Sequence, residues 1–202
     1  MKINIQLNRK SIEQSKKQLI YVKKLWARMQ KDFFEDVAMW LINRANTHLN
    51  NSDIGENVKI DIRNGWEYDF TPTGIKITNR TEKAVFVEFG VGIIGQTQSH
   101  PNASAEGYEY NEDSGSKSVD GAWTFYTNSN ELDLPQSALL AHNWYNGDRG
   151  KGKGQRLLIM TKGAKGVWYA YNAIVDAQME LTKSGGGEIG KMWRDIKARY
   201  IK

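Results

Sequence analysis

The chain of 202 residues contains no cysteine and only three prolines. Without cysteine it cannot form disulfide bonds or thiolate zinc sites, which fits a protein made in a reducing compartment. No apolar run approaches the ~18 residues that a membrane-spanning helix requires. The start, MKINIQLNRK, lacks the apolar block of a signal peptide. We therefore expect a soluble protein, made in the cytoplasm, with no membrane partner.

Motifs for catalysis or metal binding are also scarce. None of the three histidines has a metal-binding spacing, and no serine lies in a Gly-x-Ser-x-Gly elbow. The histidines are His48, His100 and His142. We interpret His100 and Pro101 as a turn element. We expect no catalytic residues, no metal and no cofactor, and therefore no enzyme.

Pairs of acidic residues suggest a nuclease metal site as a rival interpretation. Asp61 could pair with Glu67 or Asp69. Their expected positions on strands and their basic neighbours favour ordinary surface charge instead. A hydrolase therefore has no good cluster of carboxylates in this sequence.

The residues that are present fit one well-packed soluble domain. Hydrophobic residues make up 40% and charged residues 25% of the chain, with 7 Trp, 9 Tyr and 6 Phe. Aromatic side chains in such numbers can serve both a core and protein interfaces. The formal net charge of +5 is compatible with a polyanionic neighbour but does not require one.

A long helix is predicted near the start of the chain. It follows a short strand over Ile3–Leu7, in which apolar and polar residues alternate. Ser11 is a suitable N-cap for a helix that runs to about Leu49. The apolar residues of this helix recur mostly every three or four positions and would form one face. They are Ile12, Leu19, Val22, Leu25, Trp26, Met29, Phe33, Val37, Trp40, Leu41 and Ala45.

The other side of the helix is basic. Its cations are Lys16, Lys17, Lys23, Lys24, Arg28 and Lys31. Because charge runs usually only keep a helix soluble, a solvated face is the favoured interpretation. A face for nucleic acid is the alternative.

Candidate strands follow this helix after a turn over Asn50–Gly55. Residues 64–65 (Asn-Gly) and 72–74 (Pro-Thr-Gly) are typical of hairpin turns between them. An antiparallel meander that follows a helix favours an α+β fold over a wound parallel sheet. The predicted strands are Val58–Arg63, Trp66–Phe70, Gly74–Thr78 and Ala84–Phe89.

From Gly95 to about Gln155 the chain is polar and interrupted by glycine, which predicts a long loop excursion with an interaction role. Two less polar islands lie within it. Residues 121–126 predict a strand, and residues 132–145 have no clear form. A buried strand is predicted over Gln155–Thr161.

The C-terminal part predicts helices over 168–182 and 188–201, separated by three glycines. The last helix would dock either on a neighbouring protein or on its own subunit. In total we predict a single α+β domain over residues 1–202. Its antiparallel sheet packs against a long N-terminal helix (about 11–49) and a C-terminal helix (within 168–201), with strands and loops over 57–161.

A glycine-rich basic loop, RGKGKGQR, occupies residues 149–156. It lacks the Gly-x-x-x-x-Gly-Lys-Ser/Thr order of a phosphate-binding loop, and no helix pattern follows it. Two interpretations stay open, namely a flexible hairpin tip or a loop that faces DNA or an acidic partner. The candidate DNA-facing residues are Arg149, Lys151, Lys153 and Arg156.

The most informative stretch is Ala84–Pro101, AVFVEFGVGIIGQTQSHP. Its alternating residues predict a strand that ends at Phe89. Gly90, Gly92 and Gly95 then predict a shaped loop, because glycine reaches backbone angles closed to other residues.

Within this stretch, Val85–Gly95 resembles the VEFGTG-I-G signature of small head–tail connection proteins of long-tailed double-stranded DNA phages. These are called neck, tail-completion or minor tail proteins. Ser99–Pro101 resembles the turn that follows in that family, and Gly107–Tyr110 (GYEY) resembles its GW-Y element. Gly121–Phe125 (GAWTF) resembles its GWWY strand.

The resemblance continues to the C-terminal helices and spans about residues 84–177, a little under half of the chain. Thr161–Gly163, followed by Trp168 and Tyr169, resembles the passage into the family's last long helix. Two departures stand out. Val91 replaces the family's usual threonine, and Gly166–Val167 replaces the usual proline.

The resemblance implies a structural virion protein of the head–tail connector. It would form a homo-oligomeric ring, six subunits being the expected number, and join the DNA-filled capsid to the tail. Its partners would be neighbouring head-closure, connector and tail proteins, with non-specific contact to packaged DNA. The sequence does not separate head closure, a bridging ring and the tail terminus. The implied protein-interface residues are Glu88, Phe89, Gly90, Gly92, Ile93, Ile94, Trp123, Phe125, Trp144 and Tyr145.

The main alternative is a sequence-independent nucleic-acid-binding protein. It would use the basic helix face and the loop over 149–156. Such a protein would bind DNA as an isolated subunit with a steep dependence on salt.

Overall fold

The computed structural model describes residues 9–110, 116–117, 123–128, 139–145, 156–161 and 163–201. The helices are α1 (Arg9–Asn50), α2 (Glu56–Asn64), α3 (Glu82–Phe89), α4 (Gly92–Thr97), α5 (Tyr169–Thr182) and α6 (Gly187–Tyr200). The strands are β1 (Trp66–Thr71), β2 (Gly74–Asn79), β3 (Gly90–Val91), β4 (Ser116–Lys117), β5 (Trp123–Asn128), β6 (Leu139–Tyr145), β7 (Arg156–Thr161) and β8 (Gly163–Lys165). The strand predicted over Ile3–Leu7 lies outside the described residues.

The fold is α+β, as predicted, with a long N-terminal helix and C-terminal helices. Strands β1 and β2 form a small antiparallel hairpin. Strands β3 and β8 form a second pair, and β4, β5, β7 and β6 lie in that order in a four-stranded sheet. In that sheet β7 pairs with both β5 and β6 in antiparallel register, so that Ile159 is paired with Phe125 on one side and His142 on the other.

Several elements agree with the predictions from the sequence. Helix α1 matches the predicted helix to within two residues at each end, and α5 and α6 match the two predicted C-terminal helices. The strands predicted at 66–70, 74–78, 121–126 and 155–161 correspond to β1, β2, β5 and β7. The island over 132–145, whose form was open, contains β6.

The strand predicted over Val58–Arg63 is wrong, because this segment lies in helix α2. Val58 and Ile62 are buried, whereas Ile60 between them is 41% exposed. Apolar residues at every second position also include a pair four residues apart, and such a pair lies on one helix face. The core uses that pair and leaves Ile60 at the surface.

The strand predicted over Ala84–Phe89 is also wrong, because the segment forms helix α3. Ala84, Val87 and Glu88 are buried, at the three- and four-residue spacing of one helix face. Val85 and Phe86 are exposed. A run so rich in apolar residues satisfies both periods, and packing of Ala84 and Val87 into the core selects the helix.

The shaped loop predicted over Gly90–Gly95 contains regular structure instead. Gly90 and Val91 form strand β3, and α4 begins at Gly92. Backbone pairing accounts for the difference, since Gly90 lies opposite Lys165 and Val91 opposite Ala164.

The chain groups into two compact units. The first comprises Met1–Trp40, Tyr68–Lys76 and Asp176–Lys202, and the second comprises Leu41–Glu67 and Ile77–Val175. Both are assembled from separate segments of sequence, so neither could be delimited by a linker. The predicted single domain stays a prediction.

In the first unit, helix α6 lies along α1. The ring of Trp193 contacts those of Trp26 and Phe33, with centroids 6.1 and 5.4 Å apart. The indole N–H of Trp40 donates to Glu188 Oε2 at 2.6 Å. Of the two docking modes left open for the last helix, contact with its own subunit is the one observed.

Strand β1 also packs on α1 in this unit. The hydroxyl of Tyr68 donates to Glu35 Oε1 at 2.9 Å, and Lys31 Nζ lies 5.3 Å from the centre of the Phe70 ring. Hydrogen bonding to Glu35 raises the pKa of Tyr68 above its usual value. The predicted packing of an antiparallel sheet on the N-terminal helix is therefore present in the hairpin.

The second unit contains the main apolar cluster. Its members come from the end of α1, from the turn that follows it and from α2, α3 and α5, so these four helices share one core. Trp66 and Val167 pack against it, and the edge of the Trp66 ring meets the Tyr169 ring at 6.0 Å. The buried members are Ala45, Leu49, Ile54, Val58, Ile62, Ala84, Val87, Tyr169 and Ala173. In the part of the chain described, no helix is both long enough and apolar enough to span a bilayer.

Candidate functional site

A buried carboxylate from α3 holds the start of α5 in the second unit. Glu88 is 8% exposed, although it is a charged residue in an apolar run. Its Oε2 accepts the backbone N–H of Ala170 at 2.9 Å, and its Oε1 accepts that of Tyr171 at 2.9 Å. These donors belong to the second and third residues of α5, which have no partner within their own helix. Glu88 therefore acts as an N-cap supplied from 82 residues away.

The imidazole of His100 completes this arrangement. Its Nε2 lies 3.1 Å from Glu88 Oε1, and its Nδ1 is 3.0 Å from the backbone nitrogen of Asn102. Because the N–H of Asn102 must donate, Nδ1 is the acceptor and carries no proton. The proton of the neutral ring then lies on Nε2 and is donated to Glu88.

Aromatic rings enclose the histidine. The ring centres of Phe89, Tyr171 and Trp168 lie 4.4, 5.2 and 5.8 Å from that of His100. The ring of Tyr108 stacks on Phe89 at 4.6 Å. The backbone N–H of His100 donates to the hydroxyl of Tyr110 at 2.7 Å. Apolar rings around a buried pair exclude water and strengthen its hydrogen bonds.

Tyr108 fastens the turn segment to β3. Its hydroxyl donates to the carbonyl oxygen of Gly90 at 2.6 Å. Burial, and secondarily the neighbouring Tyr110, raises the pKa of Tyr108 above its usual value. The tyrosine therefore remains a neutral donor to this carbonyl at neutral pH.

Two glycines let the backbones around Glu88 approach one another. A Cβ on Gly166 would lie 2.3 Å from the carbonyl oxygen of Glu88, and one on Gly90 would lie 2.5 Å from the nitrogen of Gly166. Gly90 also has a positive φ of 85°. Neither position can take a side chain without movement of backbone atoms, so glycine at both positions is fixed by close packing.

Trp168 turns the chain into α5 through an uncommon backbone conformation. Its φ is 56°, a left-handed value that is rare for a bulky residue. The backbone N–H of Trp168 donates to the carbonyl oxygen of Glu88 at 3.2 Å. Its indole N–H is buried and has no hydrogen-bond partner among the described residues. The strained turn thus aims the N terminus of α5 at Glu88.

A cavity of about 590 Å³ opens beside this centre. Val85, Phe89, Tyr171 and Ile174 give it mainly apolar walls, and the Glu88 and His100 side chains also line it. Val85 and Ile174 are about half exposed. The cavity is therefore a surface recess with an apolar rim.

Most of the hydrogen-bonding capacity of the centre is used within the chain in this arrangement. Both oxygens of Glu88 and both ring nitrogens of His100 already have partners within the chain. A general base needs a free lone pair directed at its substrate. Among the described residues, no group of His, Asp and Glu could hold a metal ion.

Two of the acidic residues considered for a nuclease are paired with cations. Glu67 forms an ion pair with Arg80, and Asp61 Oδ2 lies 3.9 Å from Lys83 Nζ. Asp69 is exposed on β1. The two measured pairings are those of ordinary surface charge.

The predicted interface residues fall into several environments. Glu88 and Gly90 are buried, and Phe89 stacks inside the aromatic cluster, so these three make contacts within their own chain. Gly92, Ile93 and Ile94 form the start of α4. Contacts of these residues with a neighbouring subunit stay a prediction.

The other predicted residues lie in or near the four-stranded sheet. Trp123 and Phe125 are on β5, and Trp144 and Tyr145 are on β6. Arg156 begins β7, opposite Asn128 and Tyr145. Arg149, Lys151 and Lys153 lie outside the described residues.

His100 is the main residue of this centre that sequence analysis missed. Interpretation as a turn element describes its position, since residues 101–107 form turns, but not its buried ring. The signal lay in Glu88, because a charge in an otherwise apolar run requires a partner if it is buried. Nothing in the sequence identified that partner as His100 or as the start of α5.

Comparison of the chain with models of protein families, with curated proteins and with solved structures found no match. Its function must therefore be inferred from its own residues and their geometry.

Proposed function

We propose that this chain is a non-enzymatic structural protein of a long-tailed phage virion, which joins the DNA-filled head to the tail as part of an oligomeric ring. One observation carries the proposal. Most of the segments that resemble the head–tail connection family meet at the Glu88–His100 centre, although they are far apart in the sequence. They lie within Val85–Gly95, Ser99–Pro101 and Gly107–Tyr110 and at the passage into α5, whereas Trp123 and Phe125 of the remaining segment lie on β5.

The chemistry of this centre supports an architectural role. Each polar atom of the Glu88–His100 pair is used to fasten one segment to another. Burial of such a network is unfavourable unless all its members are satisfied, and a satisfied network specifies one arrangement of the backbone. A ring subunit needs this property, because its interfaces must hold a fixed geometry through assembly.

Exposed apolar residues around the recess supply a surface that an assembly could cover. Val85, Phe86 and Ile174 are 47%, 55% and 50% exposed in the second unit. Apolar side chains of this size, when grouped, are typical of protein interfaces. The ring, its sixfold symmetry and the virion location belong to this proposal.

A phage that carries this gene provides the test. A nonsense codon early in the gene should yield lysates in which filled heads and finished tails accumulate separately, as seen by electron microscopy. Gly92→Val should leave the purified chain folded by circular dichroism but should also block joining. Gly74→Val is the matched control, because a Cβ at Gly74 meets nothing within 4 Å. Normal virions from the nonsense mutant would contradict the proposal.

The nucleic-acid alternative has one observation in its favour. All six cations predicted on the basic face of α1 are exposed. Light scattering of the purified chain at low and physiological salt, with and without DNA, separates the two functions. A discrete ring, or a monomer indifferent to DNA, supports the connector. A monomer that binds DNA with steep salt dependence supports the alternative.

A further inference from the structure

The first half of α1 exposes most of its large apolar side chains, whereas its second half buries or half-buries most of them. Ile12, Leu19 and Trp26 are 40%, 51% and 46% exposed. In the second half, Ala38, Ala45 and Leu49 are almost completely buried, although Met39 is 48% exposed. The first half therefore has apolar surface that the described part of the chain does not cover.

These exposed residues belong to a seven-residue repeat. The repeat places residues on a seam along the helix, which drifts by only ~20° per heptad. Its members are Ile12, Leu19, Trp26, Phe33 and Trp40. We name this set the α1 seam.

Another helix already occupies one end of the α1 seam. Trp193 of α6 contacts Trp26 and Phe33, and Glu188 accepts the indole N–H of Trp40. From Trp26 back to Ile12 the seam continues for two more heptads with its side chains about half exposed. The open end of the seam thus continues a surface on which this chain itself packs a helix.

The width of the open seam favours a helix over a membrane surface. Ile12, Leu19 and Trp26 span about 40° of the helix circumference. Ile20 and Tyr21 are also exposed, at 56% and 60%, but Lys16 and Lys23 lie between this strip and Ile20. Membrane-surface helices present a broad apolar face, whereas a strip this narrow is typical of a coiled-coil seam. Only a partner of similar narrowness can bury it fully.

The flanking charges determine what kind of helix fits. Lys16 and Lys23 each follow a seam residue by four positions, which places them beside the seam. Between Ile12 and Lys31 there are six basic residues and one acidic residue, Glu13. Charges beside such seams select partners of opposite sign.

A second copy of this chain is poorly matched to the seam. Its own α1 carries the same lysines, and its α6 carries four basic residues and two acidic ones. Like charges beside a coiled-coil seam oppose pairing. We infer that the open seam over Ile12–Trp26 binds an acidic amphipathic helix of a different protein. The inference does not depend on the connector function.

The test measures binding of a synthetic helix to the full chain. The probe is a fluorescent peptide of about three heptads with Leu at the a and d positions and Glu at the flanking e and g positions. Two control peptides replace either every Glu by Lys or every Leu by Ser. Fluorescence anisotropy at about 0.15 M salt gives the dissociation constants. We expect micromolar or tighter binding of the acidic peptide alone.

Two double variants distinguish peptide binding at the seam from attraction by the net charge of the chain. Lys16→Glu with Lys23→Glu reverses the charges beside the seam, whereas Lys17→Glu with Lys24→Glu reverses equal charge about 100° further round the helix. We expect the first to weaken binding of the acidic peptide about tenfold or more, and the second to change it less than about twofold. Leu19→Gln should weaken it as strongly as the first. Circular dichroism should be the same for all three.

Several results would overturn the inference. One is failure of the chain to bind the acidic peptide. Another is equal weakening of peptide binding by both double variants, which would indicate attraction by net charge alone. Binding of short duplex DNA or of phosphatidylserine vesicles, if lost only in the Lys16→Glu/Lys23→Glu variant, would assign the seam to those ligands. A dimer of the wild type that Leu19→Gln dissociates in light scattering would assign it to a second copy.

Discussion

Glu88 and Glu180 are both buried carboxylates that cap a helix, but they differ in their surroundings. Glu88 accepts two backbone N–H groups of α5, whereas Glu180 Oε2 accepts one from α6, that of Glu188, at 2.8 Å. Glu88 is also bonded to the buried His100. Glu180 forms an ion pair with Lys183, whose side chain is 60% exposed.

The comparison shows that burial of the partner decides how strongly the fold depends on a capping carboxylate. Around Glu180, water can reach Lys183 and can replace lost interactions of the pair. Around Glu88, the partner is itself buried, since the side chain of His100 is 3% exposed, and removal of the carboxylate would leave the donors of Ala170, Tyr171 and His100 without acceptors. Glu180 can therefore lose interactions of its ion pair to water, whereas the loss of Glu88 leaves buried donors unpaired.

The largest effect is expected from truncation of the two carboxylates. Glu88→Ala should lower the free energy of unfolding by about 3–5 kcal/mol, because it leaves buried donors unpaired. Glu180→Ala should lower it by only about 1–2 kcal/mol, the usual cost of a lost cap. Urea titrations followed by circular dichroism measure both. An equal or larger loss for Glu180→Ala would break the comparison.

A second prediction concerns Tyr169, a buried neighbour of Glu88. Burial, and then the charge of Glu88, raises the pKa of Tyr169 well above its usual value of 10.0. Because the pKa of Tyr169 is higher in the folded than in the unfolded chain, the contribution of this residue to the free energy of unfolding is complete below pH 10. It is lost as the pH rises above 10. At pH 11.5 this tyrosine should lower the free energy of unfolding of the wild type by about 2 kcal/mol relative to its value below pH 10.

Tyr169→Phe isolates that contribution. It removes one hydrogen bond, from the Tyr169 hydroxyl to the carbonyl oxygen of Ala84 at 3.3 Å. At pH 7 the variant should therefore be less stable than the wild type by about 1 kcal/mol or less. Above pH 11 the order should reverse. Parallel loss of stability in both proteins between pH 9 and pH 11.5, measured by urea unfolding, would contradict this view of the Glu88 surroundings.

The smallest effect is expected at Lys183. Since its side chain is largely in solvent, Lys183→Ala should lower stability by less than about 1 kcal/mol. Unfolding in low and high salt provides the control, because the contribution of an exposed ion pair falls as salt rises. A loss of about 2 kcal/mol or more would show that Glu180 depends on its cation as strongly as Glu88 depends on its donors.

Local sequence pattern was sufficient for some elements and insufficient for others. Helices α1, α5 and α6 follow from apolar residues three and four apart, and the hairpin turn at Pro72–Thr73 follows from its residue types. Helix α3 could not be predicted in this way, since Ala84–Phe89 fits both periods and its outcome depends on contacts with α5.

The candidate site was predictable only in part. The segment around Glu88 stood out from its sequence, but its role depends on Ala170, Tyr171 and His100, which no local pattern connects to it. Close approach of Gly166 to the carbonyl oxygen of Glu88 is also a contact between distant segments. Such contacts are decided by tertiary packing, which outweighs local preference.

The separation of 82 positions between Glu88 and Ala170 also has a consequence in time. Ribosomes add about 5–20 residues per second, so Glu88 is synthesised about 4–16 s before the helix that it caps. During that interval the segment Ala84–Phe89 has neither Ala170 nor Tyr171 to bond, while its alternating apolar residues fit an extended strand. An unpaired strand of this kind can associate with another chain. The nascent protein is therefore most exposed to aggregation in these seconds, and shelter of this segment by a chaperone would matter then and not later.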